Sequence, residues 1–441
     1  MDSCVPSSSE VGDVEPLHNE SASRRYARLP LIPGGGVCSA RGFSAAGIHA
    51  GFRPDPERLD FALVVADEPA SCAAVFTQNV FCSAPVIVSR EHLDGVWYGT
   101  ARAVAINSGI ANAATGQRGL DTARRSASIV AETVGCTDDE VMLASTGVIG
   151  QHLQMEPFES GVPKAFAHLS VAGGADAARA IMTTDTHPKE RAVSFSGEGV
   201  GYEGYTFTVG GMCKGSGMIM PNMATMIAVI TTDAPIAPDA LHEALVSAVN
   251  VSFNKVTVDS DTSTNDTCFL LASGAAAPKG APLMQPGTPA FEAFEEALRT
   301  VCVSLAREMA TDGEGATRLV TVNVSGAASA ADADAAARTV ANSPLVKTAI
   351  YGHDANWGRI AGALGRSGAA FRQEDVAIDI MGIPVCRNGL TVPFDEDEAL
   401  RRFKSPEVVV NIDLGAGDEL ATIWTCDFSH EYVTINGDYR S

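Results

Sequence analysis

Short apolar runs bounded by turn residues mark the first half of the 441-residue chain. Phe61 to Ala66, Ala73 to Phe76, Ala103 to Ile106 and Val141 to Leu143 are long enough for buried strands and too short for helices. Between them the period lengthens. Gly116 to Val134 places Ala123, Ile129, Val130 and Val134 on roughly one face and predicts a helix, as does Pro238 to Val249. The second half repeats the mixture, with a long helix predicted over Pro289 to Met309 and an alanine-rich one over Ala327 to Asn342. Ser273 to Pro289 is full of Ala, Pro and Gly and predicts an exposed linker, and Ser196 to Gly204 predicts a glycine-rich hairpin tip. The alternation implies a mixed α/β or α+β fold, without internal repeats of solenoid period.

Length adds that one hydrophobic core is not enough, so two lobes or one layered domain with appendages are expected. With 46% hydrophobic and 19% charged residues, most of the chain should fold. A formal net charge of −22 argues against nucleic-acid or anionic-membrane partners, which call for a basic surface. No apolar run approaches the roughly 18 residues of a membrane span. Met1 to Ala27 lacks the basic start and apolar stretch of a secretory signal and reads as a disordered tail. The ten cysteines, scattered from Cys4 to Cys426 with no C-x-x-C, fit free thiols in a reducing cytoplasm.

Common catalytic signatures are missing: there is no phosphate-binding G-x-x-x-x-G-K-[ST], no H-E-x-x-H and no G-x-S-x-G. Asp259 to Asp266 has calcium-loop character at its first and third positions, but Leu270 stands where a bidentate Glu belongs, so a capped polar turn is expected. The nine histidines are dispersed singly, and Gly362-x-x-Gly365-x-x-Gly368 reads as close packing. One segment differs. Gly210 to Thr225 is glycine-rich and broken by Pro221, and it runs directly into the apolar Met226-Ile227-Ala228-Val229-Ile230. Thr225 therefore opens a buried strand behind a loop able to strain the preceding peptide. Attack of its hydroxyl on the Ala224 carbonyl gives an ester; hydrolysis then frees a threonine with both a hydroxyl and an α-amine. That amine, with an ordinary pKa of roughly 7.7, can act as general base for its own hydroxyl.

Lys214 to Met226 matches K-G-S-G-M-I-x-P-x-M-A-T-M throughout, and so resembles the self-cleavage site of the ornithine acetyltransferase family, bifunctional enzymes of arginine biosynthesis. Further pieces lie in family order. They include Asn107-Ser108-Gly109-Ile110-Ala111-Asn112-Ala113, Ser145-Thr146-Gly147-Val148-Ile149-Gly150, Thr183-Thr184-Asp185-Thr186, Asp312-Gly313-Glu314-Gly315-Ala316-Thr317, Gly352 to Arg359 and Asn436-Gly437-Asp438-Tyr439-Arg440-Ser441. Ile110, Cys213 and Ser441 depart from the usual Asn, Ala and Thr, and the stretch from Thr186 to Lys214 is longer than usual.

The resemblance implies a layered α-β-β-α sandwich like that of N-terminal nucleophile hydrolases, with a second mixed α/β lobe. It implies cleavage into Met1–Ala224 and Thr225–Ser441, the two held together and paired into a heterotetramer. Thr225 would take acetyl from N2-acetylornithine and pass it to glutamate, with Thr146 and Gly147 as oxyanion hole. Substrate would be bound by Thr183 (or its neighbour Thr184), Lys214, Glu314, Asn436 and Ser441. Asp312 reads as a turn residue, and Asn107, Asn112, Asn222 and Trp357 as scaffold. No metal or cofactor is implied; acetyl-CoA stands as a second candidate donor. An N-terminal-threonine amidase or aminopeptidase, and a catalytically silent binding relative, are the alternatives.

Overall fold

The structure, a computed structural model, describes residues 15–17, 25–220 and 226–438. The cleavage junction Ala224–Thr225, Asn222, Ser441 and most of the tail Met1–Ala27 lie outside the described residues. The chain divides into a larger unit, Ala22–Ala316 with Ser429–Ser441, and a smaller one, Thr317–Phe428 with Met1–Ser21.

In the larger unit the elements run β1 (Phe43–Ile48), β2 (Phe61–Phe76), α1 (Ala84–His92), β3 (Tyr98–Ile110), α2 (Gly116–Val134), β4 (Val141–Val148), α3 (Glu156–Ala167) and α4 (Gly174–Ala180). They continue with β5 (Lys189–Ser196), β6 (Thr206–Lys214), β7 (Ile227–Thr232), α5 (Pro238–Asn250), β8 (Thr267–Ala272) and α6 (Pro289–Thr311). The strands form one mixed sheet in the order β4-β3-β2-β8-β7-β6-β5, with β1 also paired to β2.

Strand β2 makes this possible. Its register against β3 shifts between Val65 and Ala70, across the exposed Asp67, Glu68 and Pro69. Before the bulge its free edge takes β1, and after it β8, both antiparallel. The two runs expected as separate strands, Phe61 to Ala66 and Ala73 to Phe76, are therefore one element, because the polar interruption is a bulge and not a turn.

Alternation along the strands sorts the faces. Ala62, Val64, Val104, Ile106 and Met142 from one half of the sheet join Met212, Ile227, Val229 and Phe269 from the other in one cluster. The opposite face of the first half, through Phe61, Leu63, Ala105 and Leu143, is covered by α2 and α3. Helices α5 and α6 cover the corresponding face of the second half, packing on β2, β5, β6 and β8. This is a layered α-β-β-α architecture. The two parallel strand pairs, β3–β4 and β7–β8, are each bridged by a crossover containing one helix, α2 and α5.

The smaller unit holds β9 (Leu319–Ala327), α7 (Ala330–Ala341), α8 (Pro344–Tyr351), α9 (Trp357–Gly365), β10 (Ala377–Ile380), β11 (Ile383–Arg387), β12 (Leu390–Thr391), α10 (Glu396–Arg402), β13 (Glu407–Asp413) and β14 (Glu419–Cys426). Its sheet order is β12-β11-β10-β13-β9-β14, and Val320, Val322 and Val324 of β9 pack with the alanine face of α7. This is the second mixed α/β lobe. Ala327, expected in the helix, ends β9 instead. The chain then returns to the larger unit as α11 (His430–Asp438), none of whose residues is buried.

The segment after β8 is largely exposed, as its composition predicts, but it is pinned at a few points. Ala276 and Met284 are buried, Met284 bridges to Ile236, and the Pro282 carbonyl accepts a hydrogen bond from the Tyr202 hydroxyl at 2.5 Å. The hairpin tip between β5 and β6 is as expected, but buried Tyr202 anchors it. All nine described cysteines are free.

Candidate active site

Strand ends gather on one side of the larger sheet. The end of β4, the end of β6, the start of β7 and the residues before β8 meet the loop after α4, the loop after α6 and helix α11 around a cavity of about 120 Å³. Its walls include Thr146, Gly147, Thr183, Thr184, Lys214, Gly217, Glu314 and Asn436. Every described residue expected in the site is thus brought to one cavity from separate stretches of chain. A smaller adjoining cavity is lined by Thr146, Lys214, Met226 and Ile227. The residue that follows Thr225 therefore faces the same space as Thr146 and Lys214.

Thr146 is buried near the tip of β4. Gly147 follows with φ +129°, and a Cβ there would lie 2.2 Å from the Gly109 carbonyl carbon on β3. Only glycine permits so close a crossing of the two backbones. Asn265 holds the same tip: its amide donates to the Ser145 carbonyl at 2.8 Å and the Ala111 carbonyl at 2.6 Å, and its oxygen accepts from the Thr264 hydroxyl. Asn107 accepts from the Ser145 hydroxyl at 2.5 Å, and the Asn112 amide donates to the Gly119 carbonyl at 3.0 Å, both scaffold contacts as expected.

Lys214 ends β6 as a buried residue. Burial pushes its ammonium below its ordinary pKa. Asp185 opposes this, Lys189 reinforces it, and Asp266 and Glu314 oppose it more weakly. Among the described residues no carboxylate lies at ion-pair distance from it. Glu314, also buried, accepts a hydrogen bond from the Asn436 amide of α11 at 2.7 Å. Gly217 makes room for it, since a Cβ at that position would sit 2.3 Å from the Glu314 carboxyl carbon. The cavity therefore sets a lysine amino group and a glutamate carboxyl group in one space, flanked by hydroxyls.

Within the acidic run the Asp259 carboxylate accepts from the Asp261 N–H at 3.2 Å and the Ser263 hydroxyl oxygen from the Asn265 N–H at 3.1 Å, and Asp259 also accepts from the N–H groups of Met218 at 2.6 Å and Ile219 at 2.8 Å. Among the described residues no group of three or more His, Cys, Asp or Glu could hold a metal ion, and no helix is long and apolar enough to cross a membrane.

The ArgJ family model matches residues 44–441. The chain belongs to the ArgJ family. The arginine biosynthesis bifunctional protein ArgJ of Chlorobaculum tepidum is 48% identical over 400 residues, covering 91% of this chain and 96% of that one. The protein of the same name from Symbiobacterium thermophilum is 47% identical over 408 residues, covering 92% and 99%. The crystal structure of ornithine acetyltransferase complexed with ornithine from Mycobacterium tuberculosis is 38% identical, with a TM-score of 0.40, and covers 44% of this chain and 99% of that one.

Two features of this ArgJ-family site are not evident from the sequence. Asp312 lies in the turn after α6, as expected, but is also a buried carboxylate ion-paired with Lys189 at 2.5 Å. Asp185, quoted only as part of a motif, is a second partner of Lys189, at 2.7 Å. The i,i+4 spacing of Asp185 and Lys189 was the one available signal, and it suggests a helix face, whereas both residues flank the start of β5.

Proposed function

We propose that this ArgJ-family enzyme moves an acetyl group from N2-acetylornithine to glutamate through an acetyl ester on Thr225, freed by self-cleavage after Ala224. It is an acetyltransferase of arginine biosynthesis. The observation that carries the mechanism is the convergence of Thr146, Gly147, Lys214 and Glu314 on one cavity, with Met226 lining a smaller cavity that shares Thr146 and Lys214.

The hydroxyl of Thr225 adds to the acetyl carbonyl while its α-amine takes the proton. The Thr146 hydroxyl and the Gly147 N–H meet the negative charge that develops on the carbonyl oxygen. Collapse expels ornithine, whose nitrogen leaves as an amine with that proton. Glutamate's amine then attacks the ester by the same route in reverse, restoring the free threonine. Lys214 holds the substrate carboxylate, Glu314 the side-chain ammonium of ornithine, and Thr183, Asn436 and Ser441 complete the binding set. Met1–Ala224 and Thr225–Ser441 stay together and pair into a heterotetramer in the cytoplasm. The threonine and its hydrogen-bond donors suffice without a cofactor, and acetyl-CoA is a candidate second acetyl donor.

The experiment is a comparison of initial rates of N-acetylornithine consumption with and without glutamate. Transfer predicts a strong dependence on glutamate and N-acetylglutamate as product. Equal rates, with acetate released to water, would make the protein an amidase.

Glu314→Gln is expected to raise KM for N-acetylornithine about tenfold or more with self-cleavage intact, because a charge-assisted contact becomes a neutral one. Wild-type kinetics in this variant would remove Glu314 from the site.

Lys214 also fixes a pH dependence. Its attraction for a carboxylate is present below its folded pKa and lost as pH rises through it. Because that pKa lies below the ordinary 10.5, kcat/KM should decline at a lower pH than a solvated lysine would dictate. Lys214→Arg, which stays protonated, should remove this alkaline limb; an unchanged limb in the arginine variant assigns it to another group.

A further inference from the structure

Beneath the cavity, and outside its walls, lies a cluster of three fully enclosed charges. The Lys189 ammonium donates to Asp185 Oδ1 at 2.7 Å and Asp312 Oδ2 at 2.5 Å, and the three side chains are 0%, 0% and 4% exposed. Burial alone would push the Asp185 carboxyl up, but Lys189 and Lys214 outweigh it and hold the group well below the carboxylate range. For Lys189, too, burial is outweighed, by Asp185 and Asp312, which raise its pKa. Asp185 and Lys189 are thus held in their charged forms.

A buried ion pair is weak evidence for a stabilising role, since desolvation offsets the attraction. What distinguishes this one is where its remaining bonds go. Asp185 Oδ1 also accepts from the Gly215 N–H at 2.7 Å, and Asp185 Oδ2 accepts from the Thr183 N–H at 3.0 Å. The Asp312 carboxylate accepts from the N–H of Thr186 at 3.1 Å and from the Thr186 hydroxyl. The Asp312 carbonyl accepts from the Ser216 hydroxyl at 2.7 Å, and the Glu314 N–H closes back onto the Ser216 carbonyl at 3.0 Å. Three loops are tied at one ammonium: the one carrying Thr183, the turn that follows Lys214, and the one carrying Glu314.

We infer that Asp185, Lys189 and Asp312 form a positioning unit that fixes the spacing of Thr183, Lys214 and Glu314, and so sets substrate affinity without touching substrate. This rests on the acetyl-transfer reading of the cavity. It is also electrostatic. The charged groups acting on Lys214 are Asp185 and Lys189 at the β5 side, Asp266 before β8 and Glu314 after α6, and Asp185 is the strongest of those that keep it protonated.

The test compares wild type, Asp185→Asn and Thr186→Val in the complete enzyme. Asn keeps an oxygen for the Gly215 N–H but loses the charge and the second acceptor, which serves the Thr183 N–H; Val removes the hydroxyl shared by Asp312 and His187, at an exposed position. Folding is checked by circular dichroism and maturation on a denaturing gel. For Asp185→Asn the expected result is a KM for N-acetylornithine raised at least tenfold, with the alkaline limb of kcat/KM moved to lower pH. For Thr186→Val a rise of about threefold is expected with the limb unmoved. Wild-type KM in a folded Thr186→Val, or an unmoved limb in a folded Asp185→Asn, would overturn the inference. If Asp185→Asn does not fold, Thr186→Val decides. Absence of glutamate-dependent transfer in the wild type would instead reject the function, so the two failures are separable.

Discussion

Thr225→Ala is expected to give a single, folded, inactive chain. Removing the hydroxyl eliminates the nucleophile for the acyl shift at Ala224 and for the acetyl ester, so both maturation and transfer stop at their first step. The cost to folding should be small, because the sheet that receives this segment is fixed elsewhere: β7 pairs with β6 and β8 from Ile227 onward, and the Thr267 N–H already bonds the Met226 carbonyl at 2.8 Å. Thr225→Ser keeps a hydroxyl and loses the methyl that restricts χ1. It should cut and turn over, more slowly at one or both steps. Denaturing gels and transfer assays check the pair. An alanine variant that is free of wild-type enzyme and transfers acetyl at near-normal rate would make Thr225 an ordinary strand residue.

Gly147→Ala carries the other large effect. Its φ of +129° is one that L residues rarely adopt, and the added methyl would meet the Gly109 backbone at 2.2 Å. The strand tip must move, and with it the Thr146 hydroxyl and the Gly147 N–H. Misplacing one oxyanion donor costs about 100- to 1,000-fold in kcat. A fall in kcat of that order is expected, with KM changed much less, and with slower self-cleavage if the same donors serve both reactions. Steady-state kinetics read the split. A variant with normal kcat would show that the oxyanion is met by other groups.

The parts of this molecule legible in its sequence are those written locally. Helix α2 has the predicted bounds because its apolar stripe is unbroken and Gly135, at φ +82°, ends it. Strand β2 was divided because a bulge and a turn use the same residues, Asp67-Glu68-Pro69, and only pairing with β1, β3 and β8 tells them apart. The second mixed α/β lobe is expected, but its strand order is not legible, since β9 pairs in parallel with β13, more than eighty residues later, through Val320↔Val408 and its neighbours. In the site, the cavity residues came from contiguous motifs that resemble a family. Their support did not, because Lys189 and Asp312 are 123 positions apart. Nothing near Asp312 in the sequence distinguishes a buried turn carboxylate from an exposed one.

The central claim, that Thr225 is freed by cleavage and carries the acetyl group, is met most directly by the intact mass of enzyme quenched after exposure to N-acetylornithine alone. The expected spectrum holds two fragments, Met1–Ala224 and Thr225–Ser441. The second should be heavier by one acetyl group, a difference that disappears when glutamate is added before quenching. An active enzyme that remains one unbroken chain, or that carries the acetyl group on the first fragment, would contradict the claim.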